Sequence, residues 1–136
     1  MLLDEIAKLL QDNSIATVDT DLFKGAAPAT PHTCSTLYET PGIAPTFCMS
    51  TTPAFERAGL QVINRSTNYS TARNKAESIY RRFIGTGNAT LKPTSTATGT
   101  KYLNIEAVQT PFYLGIDDNK RHMVSCNYLV WKQLST

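Results

Sequence analysis

The pattern of apolar and polar positions is most informative between residues 58 and 85. In the first part of this stretch the residues alternate as in a β-strand, and one face comprises Leu60, Val62 and Asn64. In the second part the apolar residues recur at helical spacing, which predicts an amphipathic helix over about 69–84. Its apolar stripe consists of Ala72, Ala76, Ile79, Tyr80 and Phe83. Such a helix must cover another element, and the neighbouring strands are the expected platform.

A second amphipathic helix is predicted at the N-terminus, where leucine and isoleucine recur at helical spacing up to about Asn13. The C-terminal third shows strand alternation instead. In its first strand Tyr102 and Ile105 fall on opposite faces, and one face of its last strand comprises Val124, Cys126, Tyr128 and Val130. The Asp-Asp-Asn stretch at 117–119 is typical of a hairpin turn, so these strands are expected to be antiparallel.

In two segments the apolar residues recur with no clear period. Residues 41–56 contain three prolines, and residues 85–101 are rich in glycine and threonine, so both are predicted to be long polar loops. Together the elements predict an α+β fold in a single domain spanning residues 1–136. Its mostly antiparallel sheet would have about four to five strands, packed by the N-terminal helix and the central helix.

Composition and charge narrow the possible functions. The 136 residues are 41% hydrophobic and 18% charged, which is ordinary for a globular domain. No apolar run approaches the roughly 18 residues that a membrane span needs, so no membrane partner is expected. The segment 1–24 is acidic, whereas 57–92 is strongly basic. This asymmetry suits a solvated face, a nucleic-acid contact or complementary faces of assembling subunits.

No residue pattern indicates catalysis. The two histidines, His32 and His122, lack the spacing of metal ligands, and neither is placed as a base. Cys34 and Cys126 share strand faces with apolar neighbours, which predicts small core residues rather than nucleophiles. We therefore expect a protein that is not an enzyme and has no catalytic residues, no metal and no cofactor.

Three segments carry a resemblance to a known family. They are Asp21-Leu-Phe-Lys-Gly with CSTLYETPG at 34–42, then GLQVINRS at 59–66 with ARNKAESIY at 72–80, and finally FYLGID at 112–117 with Arg121 and Asn127. In this order they resemble the bacteriophage minor capsid protein family, whose members are similar to tail terminator proteins of long non-contractile tails. The long threonine-rich segment 85–101 and the expanded stretch 43–56 depart from that pattern.

The resemblance implies a structural protein of a siphophage virion. Such a protein forms a homo-hexameric ring on the head-proximal end of the tail tube, stops tube polymerisation and joins the tail to the head connector. Its implied partners are further copies of itself, the tail tube protein, the connector proteins and, through phosphate charge alone, the DNA passing through the lumen. Its implied location is the neck of the virion, after assembly in the host cytoplasm.

The resemblance also suggests which residues make these contacts. Candidates for charges at the subunit interface or in the lumen are Arg65, Arg73, Arg81, Arg82, Asp19 and Asp21. Candidates for docking to the tube and the connector are Phe47, Met49, Phe55, Asn88, Lys92 and Lys101. Two alternatives stay open: a head-completion or stopper protein of the head–tail connector, and a small basic nucleic-acid-binding module.

Overall fold

A mixed β-sheet covered by two helices forms the fold. The computed structural model describes residues 2–47, 53–94 and 96–133. Within these residues the elements are α1 (Leu2–Asp12), β1 (Leu22–Lys24), β2 (Cys34–Phe47), β3 (Pro53–Ser66), α2 (Tyr69–Ile84), β4 (Gly87–Leu91), β5 (Thr100–Ala107), β6 (Phe112–Ile116) and β7 (His122–Gln133). The strands form one seven-stranded sheet in the order β1-β2-β3-β7-β5-β4, and β6 pairs with β7 beyond the end of β5.

Both predicted helices are confirmed. The central helix spans Tyr69–Ile84, and the Asn68 side chain caps it by accepting hydrogen bonds from the amides of Ser70 (2.9 Å) and Thr71 (3.4 Å). Four residues of its predicted stripe are buried, and Tyr80 is half-buried. The apolar face of α1 is buried as well.

The two helices lie on the same face of the sheet. Their buried residues share one core cluster with alternate residues of β3 and β7. These strand residues are Leu60, Val62, Cys126, Tyr128 and Val130, which are the faces predicted from the alternation. The predicted turn at 117–119 also forms, since the amide of Asp117 donates to the carbonyl of Arg121 (3.0 Å).

The predicted sheet of four to five mostly antiparallel strands is too small. Among the described strands β1 runs parallel to β2, with Leu22 opposite Ser35, while the remaining pairings are antiparallel. A three-residue strand such as β1 is too short to produce a recognisable alternation in the sequence. Pairing along its full length with β2 is what makes it a strand.

The predicted loop at 41–56 is wrong over most of its length, because β2 extends to Phe47 and β3 begins at Pro53, and the two strands pair antiparallel. Residues 48–52 lie outside the described residues. The register shifts three times between Thr40 and Phe47, so the strands are bulged and lose their period of two. Prolines are tolerated at bulges and on edge strands, which explains why Pro41 does not end β2. Gly42 allows the close pairing, since a Cβ atom there would lie 2.1 Å from the carbonyl oxygen of Arg57.

The predicted loop at 85–101 is partly incorrect. Residues 87–91 form β4, and Thr90 pairs with Lys101 in β5. Threonine is common in strands, so a threonine-rich composition does not by itself indicate a loop.

The predicted faces of β5 are wrong, because this strand contains a β-bulge. Tyr102 is opposite Lys132 and Asn104 is opposite Trp131, so Leu103 is the extra residue of a bulge. Tyr102 and Ile105 are consequently both buried on the core face. The Tyr102 hydroxyl donates to the buried carboxylate of Glu5 in α1 (3.3 Å), which links the helix to the sheet.

Burial of two tyrosines predicts how stability depends on pH. Burial raises the pKa of both Tyr102 and Tyr128, and the Glu5 carboxylate adds to the effect at Tyr102. The folded state therefore keeps both phenols neutral, whereas the unfolded chain ionises them near pH ~10. Their contribution to stability is fully present below pH ~10 and decreases above it by up to about 1.4 kcal/mol per pH unit for each tyrosine.

Urea unfolding at several alkaline pH values checks this prediction. The variant Tyr128→Phe should lose less stability than the wild type between about pH 10 and 12, because phenylalanine cannot ionise. Equal losses in the two proteins would contradict it.

Candidate interaction surfaces

Two buried arginines hold the segment 25–33 against the sheet. The Arg65 guanidinium Nη2 donates to the carbonyls of Pro28 (2.6 Å) and Pro31 (2.8 Å), and Arg121 donates to the carbonyl of Ala29 (2.7 Å). Arg65 is only 7% exposed. Of the charged residues predicted to meet a partner, Arg65 is thus placed in the interior of this subunit, where it organises a loop.

The second arginine, Arg121, is held by an aspartate of its own hairpin turn. Arg121 Nε lies 2.8 Å from the Asp117 carboxylate, and the Arg121 amide donates to the same group (2.9 Å). These hydrogen bonds, the backbone one above all, lower the pKa of Asp117. The 117–121 turn is therefore rigidly connected to the segment 25–33.

The other three predicted arginines lie on α2. Arg73 and Arg81 both approach the carboxylate of Glu77, at 3.4 Å and 3.9 Å. Arg81 is 80% exposed, while Arg73 and Arg82 are half-buried. Arg81 is accordingly the predicted cation that is most accessible to a partner.

The two predicted aspartates lie in the turn before β1. Asp19 is exposed, with a left-handed backbone (φ 64°), and the Asp21 carboxylate accepts a hydrogen bond from the amide of Thr17 (2.6 Å). Asp21 and Arg65 line the same small cleft together with Lys75. Asp21 and Arg65, two of the charged residues predicted to contact a partner, therefore lie close together within one chain.

Three of the predicted docking residues, Phe47, Phe55 and Lys101, lie at one end of the sheet. We call this the hairpin end: residues 46–47, 53–56, 90–91, 100–102 and 132–133, which lie on neighbouring strands of the sheet. Phe47 pairs with Pro53 and half-buried Phe55 pairs with Gln133, while Lys92 and Lys101 are exposed nearby. Asn88 lies in β4, and Met49 is outside the described residues.

A group of exposed apolar side chains, which the sequence analysis did not single out, surrounds β6. Phe112, Tyr113, Leu114 and Ile116 are each exposed, and Tyr69 of α2 packs edge-to-face on Tyr113 with ring centroids 5.4 Å apart. We call these five residues the β6 patch. The Tyr113 hydroxyl is also hydrogen-bonded to His122 Nδ1 (2.9 Å). The available signal was four nearly continuous apolar residues in β6, without the alternation of a half-buried strand.

The described residues offer little for catalytic chemistry. Within them, no group of three or more histidine, cysteine or acidic side chains is arranged to hold a metal ion. Burial raises the pKa of the Cys34 and Cys126 thiols, which disfavours the reactive thiolate. Both cysteines are buried, as predicted, and Cys48 is outside the described residues. None of the described helices is long and apolar enough to cross a membrane.

Comparison with known proteins identifies the family to which this protein belongs. Residues 9–133 match the family described as bacteriophage tail terminator protein. This match covers most of the chain, so the protein belongs to that family, and the predicted resemblance is confirmed. The family is one of structural phage proteins rather than enzymes, which gives this chain a structural role in the virion.

Solved structures agree in fold. A chain from the "Virion of native gene transfer agent (GTA) particle" is 12% identical, with a TM-score of 0.61 over 98% of this chain and 95% of that chain. A second solved chain is 15% identical, with a TM-score of 0.58 over 99% of this chain and 95% of that chain. No curated protein matches the sequence.

Proposed function

We propose that this protein is the tail terminator of a siphophage: a homo-hexameric ring that caps the head-proximal end of the tail tube, stops its polymerisation and joins it to the head connector. The match to the tail terminator family over residues 9–133 carries this proposal. The similar fold of a chain from a gene transfer agent virion supports it.

The distribution of surfaces suits such a ring. A cap must contact a neighbouring assembly along the tail axis as well as its sister subunits, so each subunit needs several distinct surfaces. Exposed Lys101 at the hairpin end and exposed Lys92, next to its residue Leu91, offer positive charge for axial docking to the tube or the connector. Exposed Arg81 on α2 can meet the phosphates of passing DNA without reading its sequence.

Electron microscopy of lysates from a phage with this reading frame deleted tests the proposed function. We expect overlong tubes of irregular length beside DNA-filled heads without tails, because nothing stops the tube or prepares it for joining. A plasmid copy of the intact gene should restore tails of uniform length.

Two other outcomes would contradict the proposal. Tails of normal length beside heads that have lost their DNA would assign the protein to the head side, as a stopper. Infectious particles of normal appearance would exclude a structural role in tail completion.

A further inference from the structure

The β6 patch is an apolar surface at a free edge of the sheet. In the described part of the chain β6 pairs with β7 alone, so its outer edge has no partner strand. Leu114 is 44% exposed and Ile116 is 55% exposed. Exposed clusters of this kind, rich in aromatic residues, mark protein interfaces.

A β-bulge in β6 determines how this edge can be used. Tyr113 pairs with Val124 and Gly115 pairs with Met123, so Leu114 is the extra residue, and Gly115 supplies the positive φ of 122°. The bulge interrupts the row of backbone groups that an added strand would need. A partner therefore meets this edge through the side chains rather than by continuing the sheet.

The opposite edge of the sheet, formed by β1, lies in the same register row as the β6 patch. One register row crosses the whole sheet through Leu22, Ser35, Asn64, Val124 and Tyr113. The β6 patch therefore lies directly across the sheet from β1 and the turn before it. We call residues 18–24 the β1 edge.

The β1 edge and the β6 patch both present apolar side chains, and each is bordered by charges that can pair with those of the other. The β1 edge carries half-buried Val18 and Phe23 with one exposed acid, Asp19, and one exposed base, Lys24, which pairs with Asp4. The β6 patch is likewise bordered by exposed Asp118 and Lys120. Neither Asp19 nor Lys120 forms an ion pair within the described residues. Contact between the edges of two copies would pair these charges around an apolar centre, the usual arrangement of an interface.

We propose that the β6 patch of one subunit packs against the β1 edge of the next, forming the lateral contact of the ring. This inference rests on the proposed ring. Because the two surfaces are different and lie on opposite edges of one subunit, the contact is heterologous, and contacts of this kind form a ring when the rotation between neighbours closes. Apolar surfaces of this kind are typical of permanent contacts between identical subunits.

Photo-crosslinking in assembled tails tests the contact. The photoreactive amino acid p-benzoylphenylalanine replaces Leu114 in the phage, tails are purified and irradiated, and the crosslinked peptides are mapped. We expect a covalent dimer whose link joins position 114 to residues 15–24 of a second copy. The matched control places the same amino acid at Ile84, which is 49% exposed at the far end of α2 and should give no such link.

Other crosslinking results would contradict the proposed contact. A link from position 114 to the tube protein or to a connector protein would assign the β6 patch to axial docking, and the absence of any link would show that it is not an interface. If the variant at 114 does not enter tails, the same experiment at Ile116 applies. A deletion phenotype of overlong tubes combined with either result would retain the proposed function and reject only this contact.

Discussion

Phe83→Ala is expected to lower the free energy of unfolding by about 3–5 kcal/mol, as for other large aromatic residues removed from a core. Phe83 is fully buried in the last turn of α2, and its ring meets Tyr128 of β7 edge-to-face with centroids 4.8 Å apart. The substitution removes this contact and leaves a cavity between the helix and the sheet. Urea unfolding followed by circular dichroism measures the change.

Ile84→Ala is the matched control for this prediction. Ile84 is the next residue on the same helix, but its side chain points largely to solvent. Its replacement should change the unfolding free energy by less than about 1 kcal/mol, because little apolar area is lost. Similar losses for the two variants would mean that α2 does not pack on the sheet through the observed face.

Arg65→Met is expected to lower the free energy of unfolding by about 2–4 kcal/mol. Methionine retains much of the length and apolar contact but loses both hydrogen bonds to the carbonyls of Pro28 and Pro31. Hydrogen bonds from a charged group contribute roughly 1.5–3 kcal/mol each, and relief from burying the charge offsets part of the loss. Limited proteolysis should then cut the segment 25–33 more rapidly than in the wild type.

Arg81→Met separates this structural effect from a general loss of positive charge. Arg81 is mostly exposed, and its ion pair with Glu77 is long, so stability should change by less than about 0.5 kcal/mol. Arg65→Lys should be intermediate, because an ammonium group replaces the broad guanidinium fork. Equal destabilisation by Arg65→Met and Arg81→Met would show that Arg65 has no special role in the loop.

The elements predicted correctly from the sequence are those with a local physical signal. The central helix is predicted at its observed boundaries because its whole apolar stripe lies within one short stretch of the sequence. The core faces of β3 and β7 were identified because both strands alternate over a long regular register. The bulges in β2 and β5 break that alternation, so the sequence predicts a loop from Pro41 and places Tyr102 and Ile105 on opposite faces.

The candidate surfaces were less predictable than the fold. Arginine is usually exposed, so the sequence offered no reason to bury Arg65, whose partners are backbone carbonyls more than thirty positions away. The β6 patch escaped notice because apolar residues in a short strand normally indicate the core. The predicted docking segments 41–56 and 85–101 are far apart in the chain, and strand pairing brings them to one end of the sheet.

The linear sequence was enough to predict the family, the α+β class, both helices and the alternating core faces, because periodicity and motif order are properties of neighbouring residues. Only the three-dimensional arrangement shows which charges are buried, which edge of the sheet remains free and which segments meet at the hairpin end. These features depend on pairings between distant strands, and a single bulge moves a side chain from one face to the other. The linear pattern of apolar and polar residues shows neither the pairing of distant strands nor the position of a bulge.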